Sequence, residues 1–176
     1  MVSQQNSQWR NWHGDPCHGF LLRYGADDAR QQGSPLIGLF IEDLHVGQSA
    51  ALTQVVDEAR IAAFAETTGD ENPVHLDANY AATTRFGARI AHGMLGAGFI
   101  SAVIGTVLPG PGSIYIGQSL RFRRPIYIGD EVEARVEIIS IDCDRSRVLL
   151  STRCIVKGKT VIDGEAEILV PGRDDS

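Results

Sequence analysis

Residues 93–107 read GMLGAGFISAVIGTV, and this run decides the architecture. Met94, Leu95, Ala97, Phe99, Ile100, Ala102, Val103 and Ile104 fall at every angle around a helical turn, so the spacing predicts a helix with protein on all sides. From Met94 to Leu108 the run is interrupted by glycines and falls short of the ~20 apolar residues a membrane span requires, which leaves a core helix as its reading. Pro109-Gly110-Pro111-Gly112 stops it.

Downstream of the helix come four strand candidates: Ser113 to Arg124, Glu131 to Ile141, Arg147 to Val156 and Thr160 to Val170. Val132, Ala134, Val136 and Ile138 alternate with Glu133, Arg135 and Glu137, as in a sheet with one face on a core. Asp142 to Ser146 and Lys157-Gly158-Lys159 read as hairpin turns. Upstream, Ser49 to Val56 is a short strand, and Asp57 stands where a helix N-cap belongs. Ile61, Phe64, Ala65 and Thr68 then repeat at helical spacing until Gly69 stops the helix. In the loop that follows, Pro73 keeps the helix from continuing, and Asp77 can cap a second short helix running to about Phe86, with Gly87 beyond it. Layer logic assembles these elements into an α+β fold, a curved antiparallel sheet wrapped around the central apolar helix, known as the hot-dog arrangement. Such a sheet leaves one edge exposed, so a homodimer with a continuous sheet is expected, and a heterodimer is the weaker expectation.

The 176 residues are 43% hydrophobic and 22% charged, a globular mix that can bury a core. Sixteen basic residues, scattered along the chain, face 22 acidic ones, for a formal charge of −6, which argues against nucleic acid as a partner. Residues 1–36 are dominated by Gln, Asn, Ser, Gly, Asp and Arg and read as a polar extension; 37–171 form the domain, and 172–176 a polar tail. The N-terminus has no apolar run of the secretory kind. Cys17, Cys143 and Cys154 are odd in number and lack C-x-x-C spacing, so neither a disulfide framework nor a zinc knuckle is expected and a cytoplasmic setting is the default.

The chemistry concentrates in GDENPVHLD, residues 69–77. Asp70 and His75 are separated by an Asn-Pro turn that can aim both side chains into one cleft, where a water could sit between carboxylate and ring. One Asp and one His alone fit a capped turn and a partly buried polar residue better than a catalytic pair. A second feature shifts the balance: Ala91-His92-Gly93-Met94 opens the central helix, whose first N–H groups lack partners, and Gly93 lets a ligand carbonyl approach the backbone. An oxyanion hole can be built there.

The block G-D-x-N-P-V-H-x-D, then A-H-G-M, then G-S-I-Y-I-G-Q-S-L-R-F and P-I-Y-I-G-D-E-V resemble the MaoC-like dehydratases, and within them the R-specific enoyl-CoA hydratases of the hydratase 2 type. The likeness runs from about Leu39 to Val170 and leaves the N-terminal extension uncovered. It implies that Asp70 and His75 are the catalytic pair, activating water for syn addition to a trans-2-enoyl thioester or running the reverse dehydration. It implies further that the Gly93 N–H polarises the thioester carbonyl and that Ser101, matched by spacing, lies near the pair, although a mid-helix serine can equally bond back to a backbone carbonyl.

Asn72 is expected to brace the loop and orient His75, and Asp77 to cap a helix. No metal or redox cofactor is expected: His75 and His92 have no Cys or carboxylate at a recognised metal spacing. Acyl-CoA is the expected partner, with neither nucleic acid nor membrane. Gly96, Gly98 and Gly105 fit either close packing on the sheet or a tunnel for an acyl chain. Arg121, Arg123 and Arg124 fit either a solvated strand end or the phosphates of CoA. Competing readings are dehydration of a 3-hydroxyacyl group on acyl carrier protein or of a dicarboxylic acyl-CoA, and a non-catalytic subunit that binds acyl thioesters. The intact Asp70, Asn72 and His75 weigh against the last.

Overall fold

Asp57 turns the chain from strand to helix. Its carboxylate accepts the Arg60 N–H at 2.8 Å, capping α1 (Glu58–Thr68) directly after β1 (Ser49–Val55). The structure is a computed structural model that describes residues 38–175; the extension assigned to 1–36 lies outside the described residues. Ile61 and Ala65 are buried and Phe64 half-buried, while Thr68, expected on the same face, is exposed at the helix end. Gly69 closes α1 in the left-handed region, φ 74°.

Pro73, expected only to end a helix, also opens one. It is the first residue of α2 (Pro73–Leu76), where the N–H it lacks would have had no partner, and Asn72 Oδ1 accepts the Val74 N–H at 3.3 Å. Asp77 Oδ1 takes the N–H groups of Asn79 and Tyr80 at 2.8 and 3.1 Å and starts α3 (Ala78–Thr83). This helix ends before the expected Phe86, because the Thr84 hydroxyl donates to the Ala81 carbonyl and accepts the Phe86 N–H, competing with the helical ladder.

After α4 (Gly93–Thr106) follow β2 (Ile114–Phe122), β3 (Glu131–Asp142), β4 (Arg147–Val156) and β5 (Lys159–Leu169). They form one antiparallel sheet in the order β1-β3-β4-β5-β2. Val132, Ala134, Val136 and Ile138 are all buried, as their alternation predicts. The β4–β5 hairpin turns on Lys157 and Gly158, both at positive φ (50° and 74°), the backbone that matches the twist of paired strands. Short 3-10 turns at Ile41–Asp43 and Arg173–Asp175 were not anticipated. Cys154 is a buried free thiol, pushed up to about 12 by burial, whereas Cys143 is disulfide-bonded, which the cysteine count did not foretell.

Two expectations need correction. Within one chain α4 is covered on one side only: Gly96, Phe99, Ile100, Val103 and Ile104 are buried on the sheet, while Met94, Gly98, Ser101 and Gly105 face outward. The apolar composition of the helix conceals this, since glycine, alanine and serine on the outer side carry little hydrophobicity either way. Second, among the described residues the sheet has two open edges, β1 and β2, and β2 is exposed along almost its whole length, showing Ile114, Tyr115, Ile116 and Phe122. Among the described residues, the outer side of α4 and β2 thus both present exposed apolar side chains, Met94 on the helix and Ile114, Ile116 and Phe122 on the strand.

The glycines of α4 divide between their two readings. A Cβ on Gly96 would stand 2.5 Å from Ile162 Cδ1, so Gly96 is a packing site, whereas Gly98 and Gly105 have nothing within 4 Å and leave open space. Among the described residues no helix is long and apolar enough to cross a membrane.

Candidate active site

Two elements bring the chemistry together: the loop and short helix at 69–76 and the N-terminus of α4. His75, third residue of α2, is only 8% exposed. Its Nδ1–H donates to the Ile90 carbonyl at 2.8 Å; a carbonyl can only accept, so the proton lies on Nδ1 and the lone pair on Nε2. Burial pushes the His75 imidazole below its usual pKa; the Ile90 hydrogen bond opposes this, His92 adds to it, and Asp70 opposes it. Asp70 is exposed, and its carboxylate accepts the Asn72 N–H at 3.3 Å. Asp70, His75 and His92 each put a polar side-chain atom within 4.8 Å of the others.

The remaining sequence-derived residues fall around this pair. Asn72 holds the turn twice: its side chain caps α2, and its carbonyl accepts the His75 N–H at 3.0 Å. Gly93 is the first residue of α4, where a free N–H is available, and a Cβ there would stand 2.7 Å from the Phe122 ring. Ser101 faces outward into a cleft and makes no hydrogen bond among the described residues, so the back-bonded alternative does not apply. Asp77 is a helix cap. Arg123 is engaged by Asp163 in a two-pronged pair at 2.9 and 3.0 Å, and Arg124 donates to the Thr160 carbonyl, so both spend hydrogen bonds within the chain.

The cleft, of about 530 Å³, runs from Phe64, Thr68 and Asp70 past His92 and Gly93 along the outer side of α4 to Tyr115, Gln118 and Leu120 of β2. Its walls are mostly apolar, with Asp70, Ser101 and the start of α4 as polar points, the pattern of a small-molecule site. His92, weighed from sequence only as a metal ligand, lies at the centre of this cluster. It is 1% exposed, stacks on His75 with ring centroids 3.9 Å apart, and approaches the Phe64 ring at 4.8 Å. The signal lay in A-H-G-M, whose histidine directly precedes the glycine that opens α4. Sequence spacing matched no recognised metal site, yet folding brings Asp70, His75 and His92 together, with one ligand-type atom of each within 4.8 Å of the others.

A family model described as a MaoC like domain matches residues 44–160. The chain belongs to the MaoC-like family. This MaoC-like chain is 51% identical over 138 residues to an (R)-specific enoyl-CoA hydratase of Rhodospirillum rubrum, a match covering 78% of this chain and 96% of that protein. It is 48% identical to a 3-hydroxybutyryl-CoA dehydratase of Methylorubrum extorquens, with 78% and 88% covered. Among solved structures, the unliganded R-hydratase of Pseudomonas aeruginosa superposes with a TM-score of 0.74 at 50% identity, covering 77% of this chain and 88% of that one. The hot-dog architecture is therefore that of the family.

Proposed function

We propose that this protein is an R-specific enoyl-CoA hydratase, adding water reversibly to trans-2-enoyl-CoA. The observation that carries the reading is the pairing of Asp70 with a buried His75 whose Nε2 bears the lone pair, behind a cleft that Asp70, His92 and Gly93 line. Support comes also from the (R)-specific hydratase and CoA dehydratase names of relatives at 48–51% identity.

In the reaction the substrate carbonyl lies against the Gly93 N–H, where the positive end of α4 favours the negative charge that develops on oxygen. Asp70 and His75 hold one water between them. As the water oxygen attacks C3, its proton passes to His75 Nε2 while the Asp70 carboxylate holds the second hydrogen and stabilises the imidazolium. The electron pair of the double bond moves to C2 and into the thioester. C2 then takes the proton back from His75 on the same face, giving the R-3-hydroxyacyl thioester with atoms and charge balanced. Neither metal nor redox chemistry is called on. Ser101, on the cleft wall, is placed to contact the substrate, and the open space at Gly98 and Gly105 accommodates the acyl chain.

The active form is a homodimer joined through β2. An unpaired strand edge and an exposed apolar helix side are both stabilised by a second copy, and the cleft on that side gains a wall. The reading is tested by following loss of enoyl thioester absorbance with crotonyl-CoA and longer substrates, then treating the product with an S-specific 3-hydroxyacyl-CoA dehydrogenase. Turnover with a product resistant to that enzyme supports it; rapid oxidation of the product refutes the R assignment. A stable monomer by light scattering at micromolar concentration refutes the dimer.

A further inference from the structure

His92 stands between the two halves of the site without a place in the reaction as described. Its Nε2 lies 2.9 Å from the Asp70 carbonyl. A carbonyl only accepts, so Nε2 carries the proton and Nδ1 the lone pair. That Nδ1 is fully buried and has no hydrogen-bond partner among the described residues. An apolar side chain would fill the same space against Phe64 and His75 without burying a bare nitrogen. What distinguishes histidine here is the Nε2–H, spent on the main chain of the residue that bears the carboxylate, 22 positions away. One face of the ring meets His75 at 3.9 Å, and the next residue in the chain is Gly93. One side chain therefore touches the carboxylate loop, the imidazole and the start of the helix that receives the substrate oxygen.

Resting on the hydratase reading, we propose that His92 is a positioning residue for the reaction: its Nε2–H clasps the Asp70 main chain and its ring backs His75, keeping the acid–base pair in register with the Gly93 N–H. Loss of the clasp removes the hydrogen bond that ties Asp70 to the start of α4 and leaves the α1–α2 loop the short-range turns within it: the Asp70 N–H on the Thr68 hydroxyl, the Glu71 N–H on the Gly69 carbonyl, the Asn72 N–H on the Asp70 carboxylate and the Val74 N–H on Asn72. A misplacement on the ångström scale is then enough to slow the chemistry by up to about 100-fold without removing the substrate's own contacts.

The test compares His92→Gln, whose amide can place a donor near the original Nε2, with the nearly isosteric His92→Met, which has no donor. With crotonyl-CoA, His92→Met is expected to lower kcat by about 10- to 100-fold with KM changed less than about threefold, and His92→Gln to stay within about fivefold of the wild type. In an Asp70→Asn background the further change His92→Met is expected to cost less than about threefold, because it acts through the carboxylate already lost. Equal kcat for His92→Met and wild type, equal losses for Met and Gln, or a change confined to KM each overturns the proposal. Should His92→Met fail to fold, His92→Asn replaces it, since that amide stops one carbon short of the Asp70 carbonyl; Asn matching Gln overturns the proposal and Asn slower than Gln supports it. A wild-type protein that hydrates no enoyl thioester removes the hydratase reading and this inference together, whereas an active wild type with indifferent His92 variants removes this inference alone.

Discussion

Asp70→Asn is the cleanest single test of the acid–base pair, because the structure separates its chemical cost from its structural one. Asp70 is exposed, and among the described residues its carboxylate has one hydrogen bond to protein, the 3.3 Å contact from the Asn72 N–H, which an asparagine oxygen can also accept. Its carbonyl, which His92 holds, is unaffected by the side-chain change. The expected change in folding stability is therefore within about 0.5 kcal/mol, as for other surface substitutions. The catalytic cost is of a different size: positioned acid–base groups supply about 10²- to 10⁴-fold, or roughly 3 to 5 kcal/mol of barrier. His75→Ala is expected to cost as much in rate but also to destabilise the fold, since it leaves the half-buried Ile90 carbonyl without its imidazole partner, a penalty of about 1 to 3 kcal/mol. If the two groups handle one water, the double variant is scarcely slower than the worse single one. The assay is kcat for crotonyl-CoA hydration alongside urea unfolding of each variant. Asp70→Asn retaining more than about a tenth of wild-type kcat in a folded protein, a loss too small for a principal group, refutes the pair. Fully multiplicative losses in the double variant refute the shared water.

Burial holds the His75 pKa below 6.5, so lowering pH through 6.5 leaves the free Nε2 largely in place and activity is lost only further down; an acid limb of kcat/KM with its midpoint at or above 6.5 contradicts this. Asp130, buried and bonded to Lys157 at 2.7 Å and to the Tyr127 N–H at 2.9 Å, serves the fold: Asp130→Ala is expected to cost about 1 to 3 kcal/mol in urea unfolding with kcat of the folded fraction unchanged. Burial alone would raise the Asp130 pKa, yet Lys157 and the Tyr127 N–H bring it net below 3.8, so its contribution is present above that value and lost as pH falls through the lower folded one; unfolding that is flat through this acid range in the wild type contradicts it. Gly96→Ala and Gly98→Ala share the same gain in helix propensity, but only the former drives a methyl to 2.5 Å from Ile162, so Gly98→Ala is expected to be more stable by about 1 to 3 kcal/mol, and equal denaturation midpoints count against the packing assignment. Dialysis against a chelator is expected to leave turnover unchanged, and loss restored by a divalent ion would bring the Asp70, His75 and His92 cluster forward as a metal site.

Much of this molecule is legible one window at a time, because the forces involved act between near neighbours. Alternation of Val132, Ala134, Val136 and Ile138 declares which face of β3 meets the core. Asp57 and Asp77 cap helices with atoms two or three residues away, and Lys157-Gly158 turns a hairpin through its own backbone angles. The block at 69–77 likewise announces Asp70 and His75, since their spacing is local. Tertiary structure decided what depends on residues far apart in the chain. A helix apolar at every angle cannot say which side the sheet will cover, so the outward turn of Met94, Gly98, Ser101 and Gly105 had to come from packing, as did the split between Gly96 against Ile162 and its open neighbours. His92 shows the same limit most sharply: a histidine before a helix has no periodic or capping signature, and its clasp on the Asp70 carbonyl and its stack on His75 exist only because folding closes loops of 22 and 17 residues to within hydrogen-bond and ring contact.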